Sequence, residues 1–230
     1  MIRISATLLE SFRLFLVSEP DLGEARIEAE LIASIKGEQV SNRKMQLGHA
    51  FHYLVEHPQM TLHGLYEHSG FRFAPECIES VLERISMGGV FESKAEKCIG
   101  ETREGDGLVL VAKADHVYGL HLSEFKAPSD GVNANGDKTY ASFDAEKYVN
   151  SYQWRVMAML YEPQLITYHV ACLKDADECY QLKSFDSMNL YPYAGLESDV
   201  KALVREFMRY VRCKGLDGYL RKDDRKAVAI

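Results

Sequence analysis

The sequence predicts one mixed α/β (α+β) domain over residues 1–230. Residues 1–88 form a mainly helical portion, 89–187 a sheet and helix, and 188–230 a terminal helix and tail. Three observations predict it. Up to about residue 88 the apolar residues recur at helical spacing, and from Val90 they alternate as in half-buried strands. A second helical stretch, two further alternating runs and a long amphipathic helix follow. No repeat, low-complexity tract or interdomain linker breaks the order, which suits one layered domain. Hydrophobic residues make up 47% and charged residues 27%, the balance of an ordinary globular protein. No apolar run approaches the roughly 20 residues that cross a bilayer. Glu10 and Arg13 interrupt Leu8–Val17, so a signal peptide is not expected, and a cytoplasmic location without membrane attachment is.

Taken in order, Thr7-Leu8-Leu9-Glu10 is a capping-box pattern opening a helix through about Val17, closed by Pro20 and Gly23. Helices are expected over Glu24–Lys36 and Arg43–His57, the latter stopped by Pro58. Two shorter ones are expected over Thr61–His68 and Pro75–Ser86, with proline near the first turn of the second. Val90–Glu104, Leu108–Tyr118 and Leu120–Lys126 then read as a three-stranded meander, turned at Gly105-Asp106-Gly107 and Tyr118-Gly119. The polar, glycine- and asparagine-bearing stretch Ser129–Ser142 is a loop, expected to move without substrate. A helix over Asp144–Tyr161, strands over Gln164–Lys174 and Cys179–Phe185, a helix over Leu196–Cys213 and a charged tail from Arg221 complete the chain.

The chemistry concentrates on the second turn of the meander. Side chains repeat every second residue on a strand, so Glu124 and Lys126 project from one face, and Asp115 on the preceding strand can be brought beside them. Two carboxylates and an ammonium on one sheet are costly to desolvate without compensating charge. A divalent metal on the carboxylates, with the lysine aimed at a phosphate or a water, satisfies all three.

Asp115 followed by Glu124-Phe125-Lys126 resembles the active site of the PD-(D/E)XK nuclease superfamily. The wider context resembles its RecB-like exonuclease branch, including phage-type enzymes. The resemblance implies a restriction-endonuclease-like αβββαβ core, a central mixed sheet flanked by helices. A second Glu-x-Lys, Glu92-Ser93-Lys94, lacks an aspartate-bearing strand ahead of it. The third helix carries Gly48-x-x-x-His52, similar to a motif of that branch whose histidine helps hold the metal; His49 and Glu56 share its polar face, opposite Leu47, Phe51, Leu54 and Val55. By matching position, Asp115, Glu124, the Phe125 carbonyl and His52 would hold Mg²⁺ or Mn²⁺, with Glu56 a further candidate, and Lys126 would orient or activate the attacking water and steady charge at phosphorus. Gln153 matches the first residue of a Gln-x-x-x-Tyr motif that contacts substrate. The fourth following residue is Met157, leaving Tyr152 or Tyr161 to supply the aromatic ring.

The implied activity is metal-dependent DNA hydrolysis by an exonuclease in DNA repair or recombination, with a phage origin and a recombination or single-strand-binding partner among the expectations. The alternatives are an endonuclease or junction-cleaving enzyme of the same superfamily, and a non-catalytic module binding nucleic acid or protein. A net charge of −7 requires any phosphate contact to come from a local basic patch. Lys201, Arg205, Arg209 and Arg212 make one such face on the last long helix, although a solvated basic face is the commoner reason for that pattern. Cys77, Cys98, Cys172, Cys179 and Cys213 are scattered and odd in number, which argues against a disulfide framework, and the clustered C-terminal cysteines of the iron–sulfur site in some RecB-type nucleases are not among them, so no such cluster is expected. No phosphate-binding glycine loop, serine-hydrolase elbow or His-Glu-x-x-His zinc motif is present.

Overall fold

The computed structural model describes residues 1–18, 22–38, 41–59, 64–86, 88–102, 104–132 and 138–221. The chain begins with β1 (Ile2–Ser5), α1 (Ala6–Val17), α2 (Leu22–Lys36) and α3 (Arg43–Glu56). Then come β2 (Tyr66–His68), β3 (Phe71–Phe73), α4 (Pro75–Leu82), β4 (Val90–Glu101), β5 (Gly107–Tyr118) and β6 (His121–Lys126). After the small pair β7 (Gly131–Val132) and β8 (Lys138–Thr139) follow α5 (Ala145–Val149) and α6 (Tyr152–Tyr161). The last elements are β9 (Leu165–Asp175), β10 (Tyr180–Leu190), α7 (Leu196–Cys213) and α8 (Asp217–Leu220).

One mixed sheet of eight strands runs in the order β1-β5-β6-β9-β10-β3-β2, with β4 on the remaining edge of β5. β4, β5 and β6 form the expected antiparallel meander, and β9 returns parallel to β6, pairing Leu122 with Ile166 and Lys126 with Val170. A parallel return needs a crossover, which α5 and α6 supply. The apolar stripes of α1, α6 and α7 cover one face of the sheet around Leu9, Phe12, Val156, Ile166 and Phe207. On the other face α3 and α4 bury Phe51, Leu54, Cys77 and Ile78 against Phe125, Ala171 and Leu173. Each large aliphatic or phenylalanine side chain among them contributes about 1.5–3 kcal/mol when fully buried, so these two seams fix where α3 and α6 stand relative to β5 and β6. No helix among the described residues is long and apolar enough to cross a membrane.

Several local expectations need correction. The first helix is capped by Ser5, whose side chain accepts the Leu8 N–H at 3.1 Å; Thr7 lies inside it, and Glu10 accepts the Tyr152 N–H at 2.6 Å instead of capping. Of the helix expected over 61–68, residues 61–63 lie outside the described ones, and Tyr66–His68 is a strand. It turns back through Ser69 and Gly70, both at positive φ (50° and 78°), as a two-residue hairpin of mirror-image type requires. The helix expected over Asp144–Tyr161 is two helices: Ser151 is extended and caps α6 through the Gln153 N–H at 3.1 Å. The second late strand runs on to Leu190, and β1 and α8 were not foreseen. The 129–142 loop holds the β7–β8 pair, and residues 133–137 and the tail 222–230 lie outside the described residues.

Candidate active site

The site forms where the edge of β5 is shared by two strands. β1 pairs in parallel with Leu108–Val111 and β6 with His116–Tyr118, so residues 112–115 lie between the two pairings. There side chains replace the ladder. Glu124 Oε1 accepts the Asp115 N–H at 3.2 Å, and Asp115 Oδ2 accepts the Phe125 N–H at 2.8 Å. These reciprocal bonds satisfy backbone donors that the splayed strands leave without a carbonyl, and they hold both carboxylates at the split.

The remaining atoms converge on the same point. Lys126 Nζ lies 3.2 Å from Glu124 Oε2 and 5.5 Å from the centre of the Tyr168 ring, and Gln153 Nε2 from α6 lies 3.4 Å from that oxygen. From the opposite side α3 brings His52 Nδ1 to 3.1 Å from Asp115 Oδ1. The Asn42 side chain caps α3 through the Met45 N–H at 2.9 Å, and its apolar stripe packs on the sheet, so His52 faces the split.

Burial governs the electrostatics. The Glu124 side chain is 1% exposed and that of Asp115 12%. Burial, reinforced by the Asp115 charge, pushes the Glu124 carboxyl up to about 7 against the pull of Lys126. Asp115 moves the other way: burial opposes its ionisation, but the His52 and Lys126 charges and the Phe125 N–H outweigh it and lower its pKa. Burial also works against the Lys126 ammonium, yet the two carboxylates raise its pKa, so it stays protonated. Two oxygen ligands with one imidazole suit a hard divalent cation. Such an ion would also relieve the buried carboxylate whose ionisation the fold disfavours.

A cleft of about 790 Å³ opens over this point, lined among others by Thr7, His49, His52, Tyr53, Glu56, His68, Glu92, Lys113, Asp115, Lys126 and Gln153. The structure thus brings together His52, Asp115, Glu124, Lys126 and Gln153, while Glu56 lines the cleft and lies 3.9 Å from His57. It does not bring the α7 cations there. Lys201 pairs with Glu197 and Arg212 with Glu104, while Arg205 and Arg209 line a separate groove beside Glu101 and Thr102. Neither Tyr152 nor Tyr161 lines the cleft: Arg155 lies over the Tyr152 ring and Tyr161 donates to the Ser93 carbonyl. The aromatic wall behind Lys126 is Tyr168 of β9, whose ring centre is 5.1 Å from that of Tyr148.

Glu92 and Lys113 went unrecognised in the sequence. Glu92 stood out only as half of an unsupported Glu-x-Lys, and counting back from the Gly105 turn misplaces it. Glu101 pairs with Gly107, a register that would set Glu92 against His116; the irregularity between Cys98 and Gly100 shifts it by one, so that Phe91 meets His116 and Ser93 meets Ala114. Glu92 therefore stands across from Asp115. Among the described residues, His52, Glu92 and Asp115 form the group of three whose donor atoms all lie within 4.8 Å of one another.

Fold and site together define a mixed α/β protein with a carboxylate–imidazole–ammonium cluster at the split of its sheet. No family model matches the chain, and no curated protein is significantly similar to it. Among solved structures it is similar to SSO0001, at 13% identity and a TM-score of 0.51 over 91% of this chain and 77% of that one, a likeness of fold. Also similar are the alkaline exonuclease LHK-Exo of Laribacter hongkongensis (15% identity, TM-score 0.45, 92% of this chain and 89% of that one) and a putative exonuclease of Eubacterium rectale (10%, 0.37, 96% and 84%).

Proposed function

We propose that the protein is a metal-dependent deoxyribonuclease of the PD-(D/E)XK type that hydrolyses phosphodiester bonds as an exonuclease, with DNA repair or recombination as its setting. The observation that carries this reading is the placement of Glu124, Asp115, Lys126 and His52 around one split in the sheet, open to a cleft. In this reading Asp115, Glu124, the Phe125 carbonyl and His52 hold Mg²⁺ or Mn²⁺. The ion supplies Lewis-acid stabilisation of charge growing on a phosphate oxygen.

The chain's own groups do the rest. Lys126, kept protonated by its two carboxylate neighbours, is a fixed positive charge at the cleft floor; it donates to a phosphate oxygen or to the incoming water and does not act as the base. Gln153 holds the second oxygen of Glu124 in place and offers its amide toward the substrate. Lys113 also lines the cleft wall, its ammonium paired with the Glu92 carboxylate.

The test is hydrolysis of end-labelled linear DNA and covalently closed circles, single- and double-stranded, with Mg²⁺, Mn²⁺ or EDTA, comparing wild type with Lys126→Ala. Metal-dependent degradation of linear DNA, sparing of closed circles and loss of cutting in the variant are expected. Metal binding without cutting under any condition would overturn the reading in favour of a non-catalytic binding module.

A further inference from the structure

Resting on the nuclease reading above, we propose that Tyr53 and His68 form a stacking platform for an unpaired nucleobase, so that the cleft takes single-stranded DNA or a single-stranded end in preference to a blunt duplex.

Three rings form a column beside the cleft. The Tyr53 ring lies 3.7 Å from that of His68, centre to centre, with 17° between their planes, and 4.6 Å from that of His57, with 21°. Two rings this close to a third would overlap if both lay on one of its faces, so His57 and His68 cover opposite faces of Tyr53. Tyr53 and His68 line the cleft that also holds Asp115 and Lys126, and His57 does not. The end of the column at the cleft is therefore the outer face of His68, against which no other ring lies among the described residues.

The position follows from the elements that carry the rings. Tyr53 directly follows His52 on α3, and successive side chains leave a helix about 100° apart. The ring is thus turned away from the imidazole on Asp115 but stays level with it along the helix. His57, at the end of α3, lies one turn on from Tyr53, and His68 reaches it from β2.

Packing does not require the column. The β2–β3 hairpin is already anchored by Tyr66, Phe71 and Phe73, buried in one cluster with Phe51 and Leu54 of α3. Tyr53 is 41% exposed, so the stack stands in water at the mouth of a cleft, where a further planar partner would cover apolar ring surface.

Charge points the same way. The lysines lining the cleft are Lys113, paired with Glu92, and Lys126, paired with Glu124, and Glu56 on the same wall is acidic. A duplex is held mainly by the number of phosphates neutralised, and this cleft offers few cations for that. Stacking holds a strand without them, but it needs a base whose face is free, as in a single strand.

The experiment is steady-state cleavage with Mn²⁺ of single-stranded oligodeoxynucleotides carrying one abasic position, moved in turn along the strand, by wild type, His68→Ala and His68→Phe. For wild type, one abasic position should raise KM by about tenfold, the weight of one base–ring stack, with kcat little changed. His68→Ala should raise KM on intact DNA by a similar factor and become insensitive to that abasic position, because both changes remove one contact. His68→Phe keeps a ring and should restore the wild-type KM. Quenching of 2-aminopurine at the same position, followed with Mn²⁺ in the Lys126→Ala background, reads the stack where no strand is cut. An abasic scan with no sensitive position in wild type, full additivity with His68→Ala at every position, or a blunt duplex cut as well as single strands would overturn the proposal and leave the nuclease reading standing. Quenching without cleavage by wild type would uphold the platform and overturn the catalytic reading. Neither quenching nor cleavage would overturn both.

Discussion

Replacing Glu124 with glutamine should make the protein more stable without metal and less stable with it, and the size of the effect follows from burial. The carboxyl is driven from 4.5 to about 7 by burial and by Asp115. At ~1.4 kcal/mol per pH unit, the upward shift represents about 3 kcal/mol of stability, fully present below pH 4.5 and lost as the pH rises through about 7. Glutamine carries no charge to desolvate and escapes that loss. It also turns an amide N–H₂ toward a place where Lys126 Nζ and Gln153 Nε2 already donate, and that conflict costs about 1–2 kcal/mol. The net gain at pH 8 in EDTA is on the order of 1–2 kcal/mol, or roughly 2–8 °C in melting temperature for a chain of this size. At pH 5 most of the native wild-type Glu124 is protonated, the gain shrinks and the conflict remains, so the variant should melt no higher than wild type. Mn²⁺ reverses the order at pH 8, because an ion at 100 times its dissociation constant stabilises the binding-competent protein by about 2.7 kcal/mol. The assay is thermal unfolding by circular dichroism at pH 5 and 8, with EDTA and with Mn²⁺. A variant destabilised equally at both pH values in EDTA, and stabilised by Mn²⁺ as much as wild type, would refute the reasoning.

Further outcomes follow from the same geometry. Asp115→Asn should cut hydrolysis by about 10³-fold or more, since several kcal/mol of charge stabilisation is lost at ~1.4 kcal/mol per decade, while the far-ultraviolet spectrum stays that of the wild type. Calorimetry between pH 5 and 7 should show Mn²⁺ affinity rising with pH and proton release on binding, because the raised Glu124 carboxyl must ionise to bind the ion. The double variant Arg205→Ala, Arg209→Ala should leave cleavage and its salt dependence within about twofold of wild type, since these cations lie in a separate groove; a large fall in the salt slope would place the substrate path across α7.

The legibility of the molecule in its sequence followed the range of the interactions. The meander and the histidine helix were readable because alternation along Leu108–Lys126 and the stripe of Leu47, Phe51, Leu54 and Val55 are local patterns, imposed by the sheet and helix faces they bury. The break at Asn150-Ser151 was hidden because the helical spacing continues across it; only the Ser151 cap, settled by its own bond to Gln153, divides α5 from α6. β1 is four residues long and owes its strand form to Leu108–Val111, more than a hundred positions away. Tyr168 reached the site through the parallel pairing of β9 with β6, a long-range register with no local mark. Glu92 depended on a single irregularity between Cys98 and Gly100 that no turn signal announces.

The most direct test of the central claim is a crystal grown with Mn²⁺ and measured at the manganese absorption edge. The account predicts an anomalous peak between the Asp115 and Glu124 carboxylates, within reach of the Phe125 carbonyl. A crystal saturated with Mn²⁺ and showing no peak at that split, or peaks only at other acidic surfaces, would contradict it.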